Sequence, residues 1–270
     1  MTKLIKYKEY ELPEKWSRKY FRKRMSVNFD FALTTYCQAK CVSCTRMNQQ
    51  HGKQGQVDPS LVLQHMDLDI FTNIIQNSKI ISEENDYIQF CGELGDPMMH
   101  PQIDKFIELG MIYGGGVSIN TNGGLRQPKW YSHIAQAYHM GHWDRRELSI
   151  KFGVDGADHD TNWKYREGVN WQRAIDNMES YFGAGGVGEW HYLIFEWNWH
   201  QIEDAQALAD KIGAPIFFKF NNRSHGLISD ENKAKAYDIL EKMDSSRGYH
   251  LDIEEHQHTP IKEPVQKNDN

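Results

Sequence analysis

Thr35-Tyr36-Cys37-Gln38-Ala39-Lys40-Cys41-Val42-Ser43-Cys44-Thr45-Arg46 is the stretch on which the reading of this 270-residue chain turns. Three of its four cysteines lie here, spaced C-x3-C-x2-C. Thiolates this close together, on a loop after a strand, can converge on one metal centre, and iron–sulfur clusters take cysteine ligands in this way. Three ligands leave one iron of a four-iron cluster unclaimed by protein, open to a substrate or cofactor. The competing reading is a closed, structural zinc site completed by Cys91. Zinc sites usually pair two short-spaced knuckles, however, and Cys91 stands alone. A disulfide framework fits less well still, because no secretory segment precedes the loop and a reducing cytosol keeps thiols free. The expected location is therefore cytoplasmic.

Upstream of the loop, residues 27–33 alternate strictly between apolar and polar and predict a strand. Downstream, strands are expected at 87–91, 117–121, 148–154, 190–198 and 216–220. Between them lie helical periods near 67–77, from Ile103, from Pro128, around 174–182 and from Ile202 to Ile212. A last helix is capped by Ser229. Residues 155–170 read as a long loop. Six alternations of strand and helix call for a parallel sheet with right-handed crossovers. Six units fall short of a closed eight-fold barrel, so the expected fold is α/β, an open, partial (β/α)6 barrel over residues 26–245. Residues 1–25 form a basic, aromatic arm, and residues 246–270 a polar tail. Within the arm, 15–24 carries six basic and three aromatic residues. It is expected as an amphipathic cap on the body of the fold rather than a phosphate-binding segment.

Strand parity adds a functional hint. Phe29, Phe31, Leu33, Ile88, Phe90, Val117, Ile119, Ile150, Phe152, Val154, Ile216 and Phe218 form one apolar set. The opposite set includes Asp30, Gln89, Cys91, Ser118, Asn120, Ser149, Lys151, Asp155, Glu196, Asn198 and Lys219. Unpaired buried charge is costly, so this second face is expected to line a wet lumen or one that holds a polar ligand. The other possibility is that some strands have the opposite phase and these groups pair with helix residues.

Four further motifs follow the strands in order. Gly92-Glu93-Leu94-Gly95-Asp96-Pro97 follows the second, Thr121-Asn122-Gly123 the third, and Asp155-Gly156 with Arg166 the fourth, while Asn198 ends the fifth. Together with the cysteine loop, over residues 27–220, this ordered set resembles the radical SAM superfamily, with its SPASM-related members the nearest pattern. The resemblance implies a partial barrel and a [4Fe–4S] cluster on Cys37, Cys41 and Cys44. S-adenosyl-L-methionine (SAM) would bind the open iron and be held through Gly92, Gly95, Asp96, Asn122, Asp155, Arg166 and Asn198. In such enzymes one-electron cleavage of SAM yields methionine and a 5′-deoxyadenosyl radical, which abstracts hydrogen from substrate. An external electron donor such as flavodoxin or ferredoxin is implied. Three departures stand out: Asp96 where the family usually has Glu, Gly153 where it has Ser, and Ser43 where an aromatic often precedes the last cysteine.

Composition bounds the rest. A net charge of −6 argues against a general nucleic-acid binder, and no apolar run is long enough to span a membrane. The expected substrate is a polar small molecule or peptide. About 25 residues before the first strand are too few for the leader-binding domain that peptide-modifying relatives often carry. This sequence has no cysteine after Cys91, so a single cluster, with iron near four per chain, is expected. Glu254, Glu255, His256 and His258 could bind a divalent ion, but in a polar tail they read as solvated side chains. Of Trp163, Trp171, Trp190, Trp197 and Trp199, most are expected to pack in the core.

Overall fold

Every strand of the sheet runs parallel to its neighbours, and spatial order follows chain order. In the computed structural model the strands are β1 (Val27–Phe31), β2 (Tyr87–Phe90), β3 (Gly116–Thr121), β4 (Glu147–Gly153), β5 (Val187–Ile194), β6 (Ile216–Phe220) and β7 (His250–Leu251). The structure describes residues 27–47, 56–77, 87–138, 147–221, 226–243 and 250–251. The expected N-terminal cap and the acidic, histidine-bearing part of the tail lie outside these residues. Helices α1 (Leu68–Asn77), α2 (Ile103–Tyr113), α3 (Pro128–Ala137), α4 (His159–Trp163), α5 (Trp171–Gly183), α6 (Ile202–Ile212) and α7 (Asp230–Lys242) connect the strands. Sequential strand order with right-handed crossovers puts the connecting helices on one face of the sheet. The other face is left to line the open barrel.

Local chemistry fixes several boundaries. Pro128 starts α3 at a position that needs no amide hydrogen. The Asn170 side chain accepts from the Arg173 amide to cap α5, and Ser229 accepts from Asn232 to cap α7. Among the described residues no helix is long and apolar enough to cross a membrane.

The core lies between the sheet and its helices. Leu33, Ile88, Phe90, Val117, Ile119, Ile150, Phe152, Val154, Ile216 and Phe218 are all at most 2% exposed, and Trp190, Tyr192 and Ile194 of β5 join them. Burying each such side chain stabilises the fold by about 1.5–3 kcal/mol. Two of the largest buried aromatics have their polar tips hydrogen-bonded. The Trp190 indole donates to the Val154 carbonyl at 2.7 Å, and the Tyr181 hydroxyl donates to Val187 at 2.8 Å.

Four sequence expectations change. A seventh, two-residue strand falls inside the stretch read as a tail, pairing Phe217 with His250 and Phe218 with Leu251. The 155–170 loop contains α4, because the Asp158 carboxylate caps it by accepting from the Thr161 amide. Strand β5 starts at Val187 and stops at Ile194, earlier at both ends than its aromatic run suggested. Glu196 consequently leaves the lumen set. It lies beyond the strand, where its carboxylate accepts from the Ser229 amide at 2.8 Å and from the Asn232 side chain, and these bonds hold it below the usual carboxylate range.

Candidate active site

The cysteine loop leaves β1 and is pinned from three sides. Arg46, 4% exposed, donates to the carbonyls of Thr35 and Ala39 at 3.2 and 3.4 Å, so the loop closes around its own guanidinium. Residues 61–66 run beside it: the Thr35 amide donates to Gln64, and the Met66 amide to Leu33. From β2, the Asp96 amide donates to the Tyr36 carbonyl at 2.9 Å, and Thr45 donates to Glu93 at 2.7 Å. Gly95 makes this contact possible. A Cβ there would sit 2.1 Å from the Thr34 carbonyl oxygen, so no other residue allows the two loops to meet.

The three cysteines share one environment. Cys41 is buried with Ala39, Tyr165, Val169 and Phe195, and Cys37, Cys44 and Trp197 pack against this group. Phe195 and Trp197 stack 4.7 Å apart at 8°, and Tyr165 lies 4.6 Å from Phe195. This aromatic wall keeps water from one side of the loop. Burial pushes the Cys37 thiol up to about 12, with the Asp96 charge adding to it. Burial also raises Cys41, against the pull of Arg166. Such thiols stay protonated until a metal displaces the proton.

Asn122 and Arg166 reach the sulfurs. Asn122 Nδ2 lies 3.8 Å from Cys37 Sγ, and its Oδ1 accepts from Gln38 Nε2 at 2.7 Å. Arg166 Nη1 lies 3.9 Å from Cys41 Sγ, while its Nε donates to Asp155 Oδ2 at 2.6 Å. Burial alone would lower Arg166, but the Asp155 carboxylate outweighs it and the guanidinium stays charged. Gly153, the position where a serine was expected, now has a physical reason. A Cβ there would meet Arg166 Nη2 at 2.6 Å, and Asp155 leaves the guanidinium little room to retreat.

The other expected contacts turn inward. Both Asp96 oxygens accept bonds from the Thr121 hydroxyl at 3.0 Å, and they also accept from the Met98 and Asn122 amides at 2.9 Å. The residue is 3% exposed. Asn198, fully buried, accepts from the Phe195 amide at 2.6 Å and donates to the Asp155 and Leu193 carbonyls. Asp155 accepts from the Leu193 amide at 2.8 Å besides binding Arg166. Asp96, Asn122, Asp155 and Asn198 therefore brace the loops around the site. Gly92 is exposed at the end of β2, and Arg166 keeps a fifth of its side chain open.

Comparison with known structures fits this geometry. No protein-family model matches the chain, and no curated protein matches it. Solved structures do. anSMEcpe with bound AdoMet superposes with a TM-score of 0.58 at 11% identity, over 78% of this chain and 58% of its own. Streptococcus suis SuiB bound to its precursor peptide SuiA gives 0.60 at 12%, over 83% and 48%. Methylornithine synthase PylB gives 0.51 at 11%, over 88% and 67%. The fold is that of the radical SAM enzymes. This chain spans about half the length of SuiB and 58% of anSMEcpe.

Among the described residues no three His, Cys, Asp or Glu side chains converge tightly enough to hold a single metal ion. Cys37, Cys41 and Cys44 nonetheless share one packed, aromatic-walled group, and three thiols on one loop are a donor set of the kind an iron–sulfur cluster takes. Cys91 has other surroundings: the Glu93 amide bonds its sulfur, and the charges of Asp30 and Glu93 add to the burial that raises its thiol. The roles of Gln38, Arg46, Thr121 and the Tyr165–Phe195–Trp197 wall escaped sequence reasoning. Gln38, Arg46 and Thr121 stood in or beside the motifs, but their partners are set by how the loops fold together.

Proposed function

We propose that this chain is an enzyme that reductively cleaves SAM at a single [4Fe–4S] cluster held by Cys37, Cys41 and Cys44, and abstracts hydrogen from a polar substrate in the lumen. The observation that carries this reading is the shared environment of the three loop thiols, with Arg166 and Asn122 aimed at them, on a radical SAM fold. When bound, the cluster supplies the electron that splits SAM into methionine and a 5′-deoxyadenosyl radical. Arg166 is the residue suited to the SAM carboxylate, since a guanidinium fork matches a carboxylate and Asp155 already fixes its plane. Asp96, Asn122 and Asn198 act one step back, holding the loops in register. The aromatic wall limits water at the loop. The electron would come from an external donor of the flavodoxin or ferredoxin kind.

Cysteine replacement tests the assignment. Cys37→Ala, Cys41→Ala and Cys44→Ala should each lose the cluster and all 5′-deoxyadenosine formation, whereas Cys91→Ala should keep both. Loss of the metal in the Cys91 variant, with zinc in the wild-type protein, would replace this reading with a closed four-cysteine site. Iron near four per chain is expected, and about eight, with two distinct paramagnetic centres, would overturn the single-cluster assignment.

A further inference from the structure

The face of the sheet opposite the described helices carries side chains of both charges. In the ladder, Asp30 is level with Gln89, Ser118 and Ser149, and the next row holds Asn120, Lys151 and Glu189. Asp30 is exposed and takes a hydrogen bond from the Gln89 side chain. It lies near enough to feel the positive charge of Lys151, yet among the described residues the two form no ion pair. Lys151 has about a third of its side chain open, and its Nζ is 4.0 Å from Glu189 Oε1, a distance that leaves its hydrogens available. The same Glu189 oxygen binds His191 Nε2 at 2.7 Å, and the His191 ring stacks on Phe217 at 5.2 Å. His191 is level with Gly153, over which the Arg166 guanidinium packs.

An anion on β1 and a cation on β4, projecting from the same face of the sheet beside a flat wall, form a matched pair of contacts for a dipolar ligand. We propose that Asp30 and Lys151 hold the two ends of a small zwitterion, ammonium at Asp30 and carboxylate at Lys151, with its carbon chain against the His191–Phe217 pair. The charge pattern is that of a free amino acid. Lodged there, the ligand lies below Gly153 and Arg166, on the side of the lumen that faces the cysteine loop. Glu189 is a positioning residue: it orients His191 and keeps Lys151 from swinging away. The inference rests on the reading of the chain as a SAM-cleaving enzyme, because only then is this ligand a substrate.

Titration calorimetry on the anaerobically reconstituted full chain, with SAM present and absent, tests it. The probes are the twenty proteinogenic amino acids and, for the tightest binder, its decarboxylated amine and its deaminated acid. At least one amino acid should bind, and each singly charged analogue should bind at least tenfold more weakly. Asp30→Asn and Lys151→Met should each weaken binding at least tenfold while leaving the melting temperature and the SAM-dependent EPR change intact. Absence of binding across the panel, an amine that binds as well as its amino acid, or full affinity in both variants would overturn the site. Iron content and the EPR change, read on the same samples, separate the two claims. A clusterless protein that still binds the zwitterion removes the function but keeps the site, and a SAM-responsive cluster without zwitterion binding does the reverse.

Discussion

Strand β4 shows two environments within seven residues. Leu148, Ile150 and Phe152 are at most 2% exposed against the helices, while the alternating Ser149, Lys151 and Gly153 look into the helix-free lumen. Strand β5 repeats the contrast, with Trp190, Tyr192 and Ile194 fully buried and Glu189 and His191 half open. One face is selected for packing and tolerates no loss of volume. The other keeps charges in water, where they cost little and remain available to a ligand. Stability and chemistry are thus separated by one residue step along the same strand.

Substitutions on the two faces should break the protein in different ways. Phe152→Ala removes a fully buried ring that contacts Tyr131 and Tyr181, and should lower unfolding free energy by about 3–5 kcal/mol in urea titrations. Arg166→Ala should weaken SAM binding by about 2–3 kcal/mol in calorimetry if it is the main carboxylate partner. Unchanged affinity would move that role elsewhere. Asp96→Asn replaces an acceptor-only carboxylate by a group with its own hydrogens, so one of its buried donors loses its partner. A stability loss of about 1–3 kcal/mol is expected from the urea midpoint. Lys151→Met, on the open face, should change stability by no more than about 0.5 kcal/mol. A loss comparable to that of Phe152→Ala would dissolve the distinction between the faces.

The sheet was legible in the sequence because alternation of period two marks one face of a strand over many residues. Phe29 and Phe31 announced β1 in that way, though the alternation ran on to Leu33, beyond the strand's end at Phe31, and the cysteine spacing announced the loop. The site was legible in its residues more than in their roles. Asp96 and Asn198 stand where motif positions put them, but their bonds run to Thr121, Met98, Phe195 and Leu193, contacts that only tertiary packing creates. Glu189 stayed hidden because the aromatic run from Trp190 pulled the start of β5 too far along. His191 lay inside the expected strand, but the expected lumen set took Glu196 and Asn198, the parity that Trp190, Tyr192 and Ile194 in fact bury against the helices. The seventh strand left no pattern at all, since two residues cannot display a period.

EPR of the anaerobically reconstituted and reduced protein, recorded with and without SAM, tests the central claim most directly. A cluster held by three cysteines, with one iron left open to SAM, predicts a four-iron signal whose shape changes when SAM is added, accompanied by 5′-deoxyadenosine formation. A colourless zinc protein, or a cluster whose spectrum ignores SAM, would contradict the account.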